Sequence, residues 1–185
     1  MQELTPDVQK YYFLGCGHAL SLCLTLLTDN VRKDFKAKIV HHAATLSLLV
    51  FSYVCGYTRV GALVMWLHDG SDFYLEIAKS LVYLKKQFLA DIFFTIFALA
   101  FFISRIVYFP FVVIHTTLVK PIGLFGLFPG YFIFNALLGT LLCLHLYWFY
   151  LICDLAWKLI KGDQIADNRS DNEESSSEDE AKKTK

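Results

Sequence analysis

Two adjacent imidazoles, His41 and His42, are followed further along the chain by His68, Asp69, Asp72, Glu76 and Lys79. Asp69, Asp72, Glu76 and Lys79 recur at i, i+3, i+7 and i+10. At about 3.6 residues per turn that spacing puts them along one helix face. Histidine with a carboxylate is a working acid–base unit. A neutral imidazole takes a proton from an amine or hydroxyl, and a carboxylate on its other nitrogen fixes the tautomer and stabilises the imidazolium. An imidazole can also attack a thioester and carry the acyl group briefly. Arg32, Lys33, Lys36 and Lys38 precede the His pair. Such a cluster suits the phosphates of an activated donor at a membrane surface.

The elements that must position these groups lie in long apolar blocks. The chain has 185 residues, of which 56% are hydrophobic, and a mean hydropathy of +0.46. Several blocks reach the roughly 20 apolar residues that cross a hydrocarbon layer. In lipid the backbone polar groups must be paired within the segment, so the blocks are expected as helices. The reading is an all-α integral membrane protein of about five transmembrane helices. They are placed at about Tyr11–Leu27, Ile39–Tyr57, Val60–Tyr83, Asp91–Phe109 and Tyr131–Ile160. The fourth is expected to stop at Pro110. The stretch Phe111–Gly130, rich in Pro, Gly and bulky apolar residues, reads as a membrane-hugging or re-entrant loop. The polar start of the chain, with Pro6 and no basic region, is unlike a cleavable signal peptide.

Residues 1–162 are thus a transmembrane domain and residues 163–185 an acidic tail. The net charge is zero, with 17 bases and 17 acids, but the tail holds eight of the acids and four of the bases. With almost no apolar residues it reads as disordered. Basic residues in loops favour the cytosol. Assigning loops alternately collects Arg32, Lys33, Lys36, Lys38, Lys85, Lys86, Lys158 and Lys161 on one side, which puts the tail in the cytosol. Nothing in the charge pattern suggests a nucleic acid partner. Cys16, Cys23, Cys143 and Cys153 sit in apolar blocks, where Cys behaves as a small hydrophobe, and no Cys/His spacing suits a metal.

A membrane-embedded charge is costly and needs a reason. Three acids and one base on one face are expected to point into the bundle or a wet cavity. One of the two neighbouring imidazoles, about 100° apart on a helix, can face that cavity while the other meets it from the side. The plainer readings are a structural ion-pair network or an ion path for the stripe, and topology signals for the bases. His18 and His115 read as satisfied packing residues. Asn135 and His145 can link helices through hydrogen bonds; with Glu76 they are also candidate substrate-binding positions.

At these residues a family becomes recognisable. Asp29-x-x-Arg32-Lys33-Asp34-Phe35, Ile39-Val40-His41-His42-x-x-Thr45 and Leu67-His68-Asp69-Gly70-Ser71-Asp72 closely resemble the signature of ceramide synthases in the TLC-domain superfamily. Arg105-Ile106-Val107, His115-Thr116-Thr117, Tyr131-Phe132-x-Phe134-Asn135 and Leu144-His145-x-Tyr147-Trp148 extend the resemblance in order. It implies an endoplasmic reticulum enzyme that moves a fatty acyl group from acyl-CoA, as co-substrate, to the amine of a sphingoid base, giving a ceramide. His41 and His42 would be the catalytic pair, with Asp69 and Asp72 in support. Arg32, Lys33 and Lys36 would serve substrate binding. Neither a metal nor an organic cofactor is implied, and assembly as a homo- or heterodimer is compatible with the resemblance. The loop around Leu118–Pro129 would influence acyl length. Family members carry further helices ahead of this point, so the domain is expected to be partial. Gly15, Gly17, His18 and Ala19 depart from the family's Glu and bulky aromatics. The alternative is a non-catalytic TLC-domain protein that senses or organises lipids, followed by a transport role.

Ser170, Ser175, Ser176 and Ser177 each have an acid three residues on. That pattern suits a kinase whose basic pocket reads carboxylates, and each phosphate would add about −1.5 to −2 charge. Mass spectrometry of the cell-expressed chain, with and without phosphatase, is expected to find these serines phosphorylated. Replacing all four with Ala is expected to tune acyl transfer without abolishing it.

Overall fold

The computed structural model describes residues 5–28, 34–119 and 129–161. They form five helices: α1 (Pro6–Thr28), α2 (Phe35–Val54), α3 (Thr58–Tyr83), α4 (Gln87–Val119) and α5 (Pro129–Ile160). The all-helical bundle expected from the apolar blocks is present. By length and composition α2, α4 and α5 can cross a membrane. The 26-residue α3 is long enough, but Arg59, Asp69, Asp72, Glu76 and Lys79 make it less apolar. The 23-residue α1 carries Lys10, two Tyr, two Gly, His18 and several hydroxyl residues.

Short connections decide the topology. Helix α2 ends on Gly56, whose φ of 75° is left-handed and available to glycine without steric cost. Helix α3 ends with the same device built on a lysine. Lys86 N–H donates to the Leu81 carbonyl at 3.0 Å and Lys85 N–H to the Val82 carbonyl at 2.9 Å, while Lys85 sits at φ 56°. These bonds satisfy carbonyls at the helix end. Two such turns make α2, α3 and α4 antiparallel neighbours.

The fourth helix corrects the sequence reading. Pro110 does not end it; α4 continues to Val119. Between Phe102 and Ile114 it widens into π-helical turns, and His115 N–H donates to the Pro110 carbonyl five residues back. A proline in an α-helix clashes with the carbonyl four residues earlier. A wider turn moves that carbonyl aside, so the chain passes the proline without a break. The expected loop Phe111–Gly130 is therefore helical in its first part; residues 120–128 lie outside the described ones.

Three apolar clusters hold the bundle. Leu48, Val64, Phe109, Phe134, Leu138 and Leu141 join α2, α3, α4 and α5. Ala78, Phe94, Phe97 and Phe101 pack α3 on α4, with Trp148 and Phe149 of α5 against them. Tyr12, Ala19, Leu49 and Met65 attach α1 to α2 and α3, and among the described residues α1 packs on no other helix. Outward faces are apolar, as at Phe13, Leu14, Trp66, Phe88 and Phe111. That surface suits a lipid solvent rather than water.

A lysine in the left-handed region costs roughly 1 kcal/mol that glycine does not. Lys85→Gly is expected to stabilise the detergent-solubilised protein by about 0.5–1 kcal/mol, read as a small rise in Tm. A fall would mean that the lysine side chain, not the turn, matters at this position.

Candidate functional site

The antiparallel order of α2 and α3 sets the N-terminal part of α2, with His41 and His42, beside the middle of α3, with His68, Asp69 and Asp72. All five residues line one cavity of about 330 Å³. Helix α1 supplies the facing wall, including Tyr11, Gly15 and His18. Below the polar groups the lining turns apolar, with Leu48, Leu49, Val64, Met65, Leu138 and Leu141. The cavity is therefore amphipathic along its length.

Behind the polar end lies a chain of buried contacts. Arg105, from the widened part of α4, is 4% exposed. Its Nη2 donates to Asp72 Oδ1 at 2.6 Å and to the His68 carbonyl at 2.9 Å. The guanidinium also sits 4.7 Å over the Phe101 ring, a favourable place for a cation away from water. Asp72 remains 53% exposed along its side chain while paired, so one side meets Arg105 and the other the cavity.

The histidines form a second layer. His68 Nδ1 lies 2.7 Å from the Val64 carbonyl, and its Nε2 lies 2.9 Å from His145 Nε2. A carbonyl only accepts, so Nδ1 carries the proton, and in the neutral ring Nε2 then accepts from His145. That leaves His145 Nδ1 as a bare acceptor. It is buried without a hydrogen-bond partner, as is His41 Nδ1. The His41 ring centroid is 5.8 Å from that of His68, 6.4 Å from that of His145 and 5.0 Å from Trp148, which it meets edge-on. His41 is thus wedged between aromatic rings and the cavity.

The expected stripe on α3 divides. Asp69 and Asp72 face the cavity, but Glu76 and Lys79 do not line it. They pair with each other at 2.7 Å with side chains 70% and 48% exposed. Glu76 lies two turns from the end of α3, and its charge is met there by Lys79 on the exposed face. Glu76 is thus not among the residues that line this cavity. Asn135 also stands apart: it accepts from Thr117 Oγ1 at 2.9 Å and donates to the Tyr131 carbonyl at 2.9 Å, tying α5 to the end of α4. His145 is fully buried behind the cavity wall and does not line it. Lys36 is exposed in the first turn of α2. Arg32, Lys33, Ser170, Ser175, Ser176 and Ser177 lie outside the described residues. His115, expected as a packing residue, is exposed.

The sequence reading placed no weight on Arg105 as a site residue, nor on the cavity positions of Tyr11 and His18. A signal for Arg105 existed: it is an ionised group in the middle of an apolar span, which has to find a partner. For His18 no local pattern distinguishes a cavity wall from packing. Among the described residues no group of His, Cys, Asp or Glu is arranged to hold a metal ion.

Removing Arg105 takes from Asp72 its charged partner and leaves the His68 carbonyl and Asp72 with Ser71 Oγ as side-chain donor. Because Asp72 is half exposed, Arg105→Met is expected to destabilise by about 2 kcal/mol, below the roughly 3–5 typical of a fully buried pair. The double variant Arg105→Met/Asp72→Asn should be milder than Arg105→Met alone. Thermal unfolding in detergent of these two and of Asp72→Asn checks the pair, and losses that simply add across the cycle would show that it is not coupled.

Residues 2–154 match the family model described as the TLC domain. The chain is 41% identical over 181 residues to ceramide synthase 4 of Homo sapiens, covering 97% of this chain and 46% of that protein. It is 42% identical over 178 residues to ceramide synthase 5 of Homo sapiens, covering 96% and 45%. To ceramide synthase LOH2 of Arabidopsis thaliana it is 36% identical over 181 residues, covering 94% and 61%. The chain spans about half the length of the curated relatives it matches. Those likenesses run through both the paired histidines and the helix that carries Asp69 and Asp72, and with a family match over most of its length the chain belongs to the TLC-domain family.

Proposed function

We propose that this membrane protein is an acyl-CoA-dependent N-acyltransferase that forms a ceramide from a sphingoid base. One observation carries the reading. His41, His42, Asp69 and Asp72 come together at the polar end of a cavity whose remaining length is mainly apolar. That is the shape required by a reaction whose reacting atoms are polar and whose chain is not. Similarity to proteins named ceramide synthase supports the choice of substrates.

In the net step the amine nitrogen forms a bond to the thioester carbonyl carbon and the carbon–sulfur bond breaks. The amine proton ends on the departing CoA thiol. His41 is suited to the transfer because its Nδ1 edge is enclosed in protein, leaving the Nε2 edge for the cavity. Both routes open to an imidazole use that same lone pair: removing the amine proton, or accepting the acyl group and passing it on. His42, the next residue, meets the cavity from the side. Asp72 would favour a positive charge developing nearby while Arg105 holds it in place, and Asp69 shares the wall with Tyr11. Arg32, Lys33 and Lys36, ahead of the His pair, would receive the CoA phosphates. The same reading places the protein in the endoplasmic reticulum membrane, with tail and CoA side in the cytosol, and allows assembly as a dimer.

His41→Ala or His42→Ala is expected to abolish acyl transfer from labelled acyl-CoA in membranes expressing the chain. Asp72→Asn should lower it by about 10²–10⁴-fold, the usual worth of acid–base assistance. Membrane insertion should be unchanged in each. Activity retained in both His variants would reject the mechanism. Lipid binding without any transfer by the parent chain would favour the non-catalytic alternative.

A further inference from the structure

The cavity has a floor, and its construction bears on chain length. The lining of α2 descends from His41 through Thr45, Leu48 and Leu49 to Ser52, and that of α3 from Asp72 to Gly61. On α5 it descends from Leu141 to Phe134. At the bottom the Tyr12 hydroxyl of α1 donates to the Thr58 carbonyl at 2.8 Å and lies 3.1 Å from Ser52 Oγ. Ser52 in turn donates to the Leu49 carbonyl at 3.0 Å. Tyr12 and Ser52 are each 1% exposed. Gly61 has no side chain because Tyr12 occupies that space: a Cβ there would collide with the Tyr12 hydroxyl and meet Ser52 Oγ at 2.5 Å. Three helices are therefore pinned together by one tyrosine directly behind the Ser52 and Gly61 end of the lining.

We propose that Ser52 and Gly61, held from behind by Tyr12, form the depth stop that sets which acyl chains this protein accepts, with Ser52 as the specificity-determining residue and Tyr12 as a positioning residue. The inference rests on the acyl-transfer reading for its substrate and on the cavity geometry for its residues. From His41 to Ser52 is about three turns, or roughly 16 Å, of α2. An extended chain advances roughly 1.2 Å per bond. A chain whose carbonyl sits at His41 reaches the floor after about 14 bonds, so donors of about 15 carbons fill the slot and longer ones meet a hydrogen-bonded wall. Discrimination per methylene in such a slot is roughly 10–200-fold. This stop lies among the described helices and is separate from residues 120–128.

Two measurements test it. In the first, membranes bearing the parent chain or Ser52→Leu receive a sphingoid base and an equimolar series of saturated acyl-CoA donors, and the amides are weighed by mass spectrometry. Ser52→Leu raises the floor, and the ratio of shorter to longer products is expected to rise about tenfold or more. Poor folding lowers all products together and leaves the ratio alone, so an unchanged profile in a variant that still transfers overturns the inference. In the second, an acyl-CoA with a photoreactive group at its terminal carbon is irradiated with the unaltered protein, and labelled peptides are mapped. Labelling at Ser52, Gly61 or Phe134 supports the stop; labelling elsewhere, or none, overturns it. Labelling at the floor by a parent chain that transfers no acyl group would keep the stop and reject the acyl-transfer reading.

Discussion

An arginine in the middle of an apolar helix has to be answered, and much of this molecule is arranged around the answer. Arg105 reaches α3 through two hydrogen bonds, one to the Asp72 carboxylate and one to the His68 carbonyl. It covers a phenylalanine ring of its own helix as well. Without α3 alongside, α4 would carry an unpaired charge into lipid, at a cost of several kcal/mol. The pairing thus constrains how α3 and α4 dock. That docking puts Asp72 at the cavity, sets His68 against His145, and leaves His41 backed by a rigid aromatic layer. The widened turns of α4 belong to the same arrangement: they carry Arg105 and take the chain past Pro110.

Much of this could be read from residue types and spacing, because the cost of charge in lipid is severe and local. Apolar blocks locate the helices. His41 and His42 beside Asp69 and Asp72 stand out because so few polar groups are tolerated there. The same rule overreached at Glu76 and Lys79, where periodicity continues but the environment changes near a helix end. It names no partner for Arg105, because Asp72 and His68 are distant from it in sequence. Pro110 was read by its behaviour in an α-helix, and a π-helical stretch has no signature in composition. Glycines say little on their own. Gly61 is explained only by Tyr12, a residue of another helix, and no single-sequence pattern reveals that close approach.

The polar end and the floor depend on different interactions. At the polar end, hydrogen bonds run from Val64 through His68 to His145, with directions set by the carbonyl that accepts first. At the other end the lining reaches Ser52, whose hydroxyl lies against that of Tyr12 without any charge. Between them the wall is apolar side chains in ordinary contact. Changes at one end can therefore be felt as chemistry and changes at the other as fit.

Helix α1 forms one whole wall of the cavity, yet among the described residues it rests on α2 and α3 alone. The Arg105 cluster and the histidine layer are built without it. The polar ties of α1 to α2 and α3 are few, Tyr12 at Ser52 and Thr58 and Tyr11 at Asp69, so a shift of α1 would disturb less than a shift of the Arg105 layer. A lipid arriving within the plane of the bilayer has a search confined to two dimensions. Under the acyl-transfer proposal a lipid substrate would meet the α1 side without leaving the membrane, and the reacting groups would not have to move to admit it.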